Sequence, residues 1–139
     1  MAQRTAATVE TRGARYTASA LGILRILTAL LWAVHGTAGV FGWPNGTPAA
    51  FGSWPAWWAG ALEIVLGVLI AIGLCTRAAA FVSSGMMAVA YFWIHFPEEF
   101  WPNANDGEPA VLFCFVFLFL VVAGPGAFSV SEMVGRRRT

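Results

Sequence analysis

Four residues of this chain could hold or move a proton from within apolar surroundings: His35, Glu63, His95 and Glu108. Glu63 is the most telling. It is the one ionisable group inside the apolar run of residues 57–76, which ends at Arg77. The run is about long enough to cross a bilayer as a helix, which takes ~20 residues. A carboxylate at such a depth costs roughly 3 kcal/mol or more, so it normally faces a protein interior and marks function. Gly60, Glu63, Gly67 and Ala71 recur at helical spacing. The acid therefore shares a face with small residues, where another helix can approach closely.

The partners of Glu63 follow from depth along the helices. At 1.5 Å per residue, His35 lies about 10 Å and Glu63 about 9 Å below one surface, so the two can pair across neighbouring helices. Arg25 is about 12 Å from that level, a gap two long side chains just span. The second pair, His95 and Glu108, is expected about 9 Å nearer the surface. Two His and two carboxylates suit zinc or non-haem iron. The separate depths and the missing Glu-x-x-His motif argue against it, and no metal site is assigned. Asn105 and Glu108 also read as a helix cap with its reciprocal carboxylate. Cys75 and Cys114 are not a CxxC pair and carry no assigned thiol chemistry.

The elements that position these residues are long apolar runs. The chain is 58% hydrophobic and only 11% charged, well under the ~25% of a soluble domain. A single membrane domain is expected, with helices over residues 19–41, 57–74, 78–96 and 108–123. Residues 1–18 read as a disordered tail and residues 125–139 as an Arg-rich one. Thr76 and Arg77 are expected to form the turn between the second and third helices. Pro97 stops the third helix, and Gly124, Pro125 and Gly126 stop the fourth.

Charge sets the orientation. All eight basic residues are Arg. Arg4, Arg12, Arg15, Arg77 and the triplet Arg136, Arg137 and Arg138 fall on one side. The loops 42–56 and 97–107 contain no basic residue. The positive-inside rule then predicts an all-α four-helix bundle with both termini cytoplasmic. Trp43, Trp54, Trp57, Trp58, Trp93 and Trp101 gather at the opposite interface, which agrees. Basic residues at the chain ends give no nucleic-acid surface.

Ordered motifs across the helices resemble the DoxX family of small bacterial membrane proteins. They are Arg25 with His35-Gly36; Glu63 and Gly67; Gly73-Leu74 with Thr76-Arg77-Ala78-Ala79; Asn105-Asp106-Gly107-Glu108; and Gly124-Pro125-Gly126 with Ser129. Asp106 and Leu66 stand where the family often has Gly, and Ser131 where it often has Asp. The resemblance implies an accessory subunit of a redox complex in the bacterial inner membrane, with a quinone as the possible cofactor. The alternatives are a non-enzymatic membrane scaffold that docks a partner, and then a small transporter or channel. The expected partner is another membrane or peripheral protein subunit or a second copy of this chain in a homo-oligomer. No catalytic step of its own is implied, since a redox Cys pair and a cofactor motif are missing.

Overall fold

The computed structural model describes the backbone of residues 2–136, and the side chains of residues 13–131 with 133 and 134. These residues form helices and loops without a strand. In chain order the helices are α1 (Ala2–Phe41), α2 (Ala56–Ile72), α3 (Thr76–Ala90), α4 (Glu108–Ala123) and α5 (Val130–Arg136). A π-helical turn, Tyr91–His95, extends α3.

One expectation is corrected at the chain ends. The segment 2–18, expected to be disordered, continues α1 as helix. It lacks Pro and holds Ala2, Ala6, Ala7, Ala14 and Ala18 among Arg and Glu, all good helix formers. The segment after α4, read from the sequence only as Arg-rich, folds back and forms α5. Between α2 and α3 the turn falls on residues 73–75, not on Thr76 and Arg77. Gly73 takes φ 75°, and the Gly73 and Leu74 amides close on the Ile70 and Leu69 carbonyls. Arg77 sits in the first turn of α3 and donates to the Val121 and Val122 carbonyls at 2.6 and 2.9 Å, satisfying the last turn of α4.

α1 packs along α2, and α3 along α4; α2 and α3 join the two hairpins, with a smaller contact between α1 and α4. The first seam is made of small residues, as the face around Glu63 suggests. A Cβ on Gly36 would lie 2.6 Å from the Gly60 carbonyl oxygen, and one on Gly67 would lie 2.9 Å from the Ala33 Cβ. Trp32 and Phe117 carry the contact between the hairpins, edge to face at 4.9 Å. They are enclosed with Ala29, Ile70, Ala79, Ala80, Met87 and Leu120.

The distribution of polarity is the reverse of a soluble chain. Arg25, Ser83, Ser84, Thr28 and Thr76 are buried, whereas Leu27, Leu31, Val65, Phe81, Phe92, Phe115, Phe119 and Val122 are exposed. Soluble monomers rarely expose so continuous an apolar surface. Two helical stretches, Gly13–Phe41 and Thr76–His95, are long and apolar enough to cross a membrane. α2 and α4 are at least as apolar but have 17 and 16 residues.

Candidate functional site

His35, Glu63 and His95 line one cavity of about 270 Å³. Trp32 and Phe113 form aromatic walls, and Asp106 lies at its edge from the loop before α4. Each polar group is placed by a local device. The close crossing of α1 and α2 at Gly36 puts the Glu63 stem beside His35, since a Gly36 Cβ would lie 2.9 Å from the Glu63 Cβ. His35 is exposed toward this space and packs its ring edge-on against Phe113 at 5.8 Å.

His95 arrives by another route. The π turn closes with a Phe96 amide to Tyr91 carbonyl bond of 2.9 Å, one residue wider than an α turn, and such turns re-aim side chains at functional sites. The His95 ring lies nearly parallel to Tyr91. Its Nδ1 is 2.9 Å from the Asn105 carbonyl oxygen. A carbonyl only accepts, so Nδ1 carries the proton, and Nε2 of the neutral ring is left as an acceptor. Asn105 is itself fixed: its Nδ2 donates to the Glu99 carbonyl at 2.6 Å, and its Oδ1 accepts from the Gly107 amide at 2.8 Å. Loop 97–107 thus folds back over the cavity and brings His95 to the same space as Glu63.

Two other expectations are corrected. Arg25 is not a partner of Glu63. It is fully buried at the far end of α1 and donates to the carbonyls of Pro125, Ala127, Phe128 and Ala71. Glu108 does not line the cavity and forms no capping box. It is exposed in the first turn of α4, and the Asn105 side chain is spent on Gly107 in an Asx turn. Asp106 takes the place expected for Glu108. It adopts φ 56°, the left-handed region that Asp tolerates better than most side chains. The signal for it was its position in the run Asn105-Asp106-Gly107-Glu108, where Gly is the usual residue.

Among the described residues no hydrogen bond or ion pair reaches the Glu63 carboxylate, and the buried Trp32 indole N–H has no acceptor. No three of the described His, Cys, Asp and Glu side chains are grouped so as to hold a metal ion. The cavity therefore offers acid–base and hydrogen-bonding groups with capacity to spare, between aromatic walls.

These features define a small helical protein with apolar outer faces and a polar cavity between its helices. Residues 20–96 match the DoxX family, and the chain belongs to it. The match runs from α1 through His95 and includes Arg25, His35, Glu63 and Arg77. An uncharacterized protein of Haemophilus influenzae is 40% identical over 118 residues, covering 81% of this chain and 88% of that relative. No solved structure matches the chain.

Proposed function

We propose that this chain is a multi-pass protein of the bacterial cytoplasmic membrane, a four-helix bundle with both termini cytoplasmic. In this reading it is an accessory subunit of a redox complex, and its cavity exchanges protons with a quinone-type headgroup. The observation that carries this is an acid without a partner among the described residues, Glu63, sharing a cavity with His35 and His95. Buried acids and histidines suit proton relay within a membrane. The exposed apolar faces, the one-sided Arg distribution and the Trp residues at the other end support the topology.

When bound, a quinone would supply a two-electron, two-proton couple. The residues present fit such a headgroup. Among the described residues the Trp32 N–H is a donor without an acceptor and the His95 Nε2 is an acceptor without a donor, and Glu63 can give or take a proton. Phe113 and Trp32 supply flat walls. His95 is held in one tautomer by Asn105, so its accepting nitrogen needs no reorganisation.

The test is electron transfer in native membranes. A His35→Ala, Glu63→Gln double variant should lower the rate at least tenfold, on the scale of positioned acid–base groups. Protein abundance and partner retention should stay normal. Normal electron transfer in the well-folded variant would remove this reading and leave a docking scaffold. Loss of the partner on changing Glu98 and Glu99 in the exposed 97–107 loop would then be expected.

A further inference from the structure

A second cavity, of about 650 Å³, lies at the other end of the molecule. It is lined by Arg15 and Ser19 of α1, by residues 126–129 of the segment after α4, and by Met133 of α5. Arg15 is exposed, and no acidic side chain lines the cavity among the described residues.

The backbone adds to this positive character. The carbonyls of Pro125, Ala127 and Phe128 all point at the buried Arg25 guanidinium. In a trans peptide the N–H points opposite to the C=O. The amides of Gly126, Phe128 and Ser129 are therefore directed away from Arg25, and residues 126–129 line the cavity. Gly126 and Phe128 take φ 63° and 61°, so the chain curls instead of extending. Backbone amides gathered by such a curl form an anion-binding concavity. Among the described residues the Gly126 and Phe128 amides have no hydrogen-bond acceptor. Behind them sits Arg25, whose charge is met by carbonyl dipoles and, among the described residues, by no carboxylate. The loop thus turns three carbonyls to a buried cation, and with the Ala127 amide spent on the Ala18 carbonyl it leaves the Gly126 and Phe128 amides for a ligand.

We propose that this cavity binds the phosphate of an anionic membrane lipid. Arg15 and Ser19 contact the phosphate from α1, and the Gly126 and Phe128 amides contact it from the loop. A lipid is favoured over free phosphate because the rim is apolar and open: Phe128 is 64% and Met133 58% exposed. Both can lie against acyl chains while the phosphate is held beneath them.

The experiment uses the full chain purified in a mild neutral detergent. Short-chain phosphatidic acid, short-chain phosphatidylcholine and inorganic phosphate are added separately, and thermal unfolding and lipid retention by native mass spectrometry are read. Phosphatidic acid should raise the melting temperature in a saturable manner, with phosphatidylcholine and inorganic phosphate far weaker. Arg15→Ala should weaken phosphatidic acid binding about tenfold, the scale of one charge-assisted hydrogen bond, and Arg15→Lys should recover part of it. Replacing Arg136, Arg137 and Arg138 by Gln should leave saturable binding in place. Equal binding of phosphatidylcholine, undiminished binding by the Arg15→Ala protein, or loss only with the terminal triplet would overturn the site. Equal stabilisation by inorganic phosphate would overturn the lipid as its occupant.

Discussion

Arg25 and Glu63 lie on adjacent helices, and each places an ionisable group where a bilayer core would be, yet their surroundings differ in kind. Arg25 has no exposure and four backbone carbonyls as acceptors. Glu63 is half-buried and has no hydrogen-bond partner among the described residues. Arg25 makes its bonds through Nη1 and Nη2, while its buried Nε has no acceptor among the described residues. A polar group held by several bonds from the protein is committed to holding the fold. One whose bonds are open, in a cavity, is free for a ligand or a proton. The contrast separates a clamp from a site, and each substitution below tests that separation.

The largest effect is expected at the clamp. Arg25→Leu would strand carbonyls from two segments and release the 124–129 segment from α1 and α2. Hydrogen bonds to a charged group contribute about 1.5–3 kcal/mol each, so a total loss above about 3 kcal/mol is expected. Arg25→Lys should also be damaging, because one ammonium cannot fork across four carbonyls as guanidinium does. Unfolding in detergent would measure both. A mild effect of Arg25→Leu would mean that the segment is held elsewhere.

Next comes the seam that sets the geometry of the cavity. Gly36→Ala places a methyl 2.6 Å from the Gly60 carbonyl oxygen, and backbone cannot move aside as a side chain can. Overpacking of this kind costs about 1–3 kcal/mol. It should also spread His35 from Glu63 and lower activity beyond the loss of stability. Gly85 is the internal control, with nothing within 4 Å of its Cβ. There the gain in helix propensity should stabilise by about 0.5–1 kcal/mol. Equal behaviour of the two alanine variants would refute the close crossing.

Glu63 itself should matter little to stability. With no partner to strand among the described residues, Glu63→Gln should stay within about 1 kcal/mol of the parent while electron transfer falls. Glu63→Leu should be similarly well folded and no more active. A collapse of the fold in either variant would move Glu63 from the site to the clamp, and the comparison would fail.

The sequence made the helices legible and the polar contacts much less so. Helices α2 to α4 are bounded by signals with plain causes: Gly73 at a left-handed position, Pro109 in a first turn, Gly124 and Pro125 after a last one. The small-residue face of Gly60 and Gly67 also forms the α1–α2 seam. Arg25 was misread because its acceptors are main-chain carbonyls, which every residue carries and no side-chain pattern reveals. The signs were present separately, in Arg25 and in Gly124-Pro125-Gly126, without anything to join them across a separation of 100 residues. That His95 shares a cavity with Glu63 depends on the fold-back of loop 97–107, which no helical spacing in the sequence reveals. Glu108 was overvalued because a cap pattern and an Asx turn use the same Asn, and only geometry decides between them.

The smallest expected effect is at Asp106, and it divides fold from function most cleanly. The residue holds φ 56°, a conformation Gly adopts without steric cost. If Asp106 only completes the turn before α4, Asp106→Gly should leave both stability and activity within a few tenths of a kcal/mol of the parent. If its carboxylate serves the cavity it lines, stability should hold while activity falls. Asp106→Asn should then behave like Asp106→Gly in the electron-transfer assay, because Asn tolerates the same backbone but lacks the charge. Asp106→Val should damage both, since a β-branched residue in the left-handed region costs about 1–2 kcal/mol. The expected pattern is activity lost in Asp106→Asn and Asp106→Gly with unfolding unchanged, which would extend the site from Glu63 to the edge of the cavity. Full activity in both would confine the chemistry to His35, Glu63 and His95.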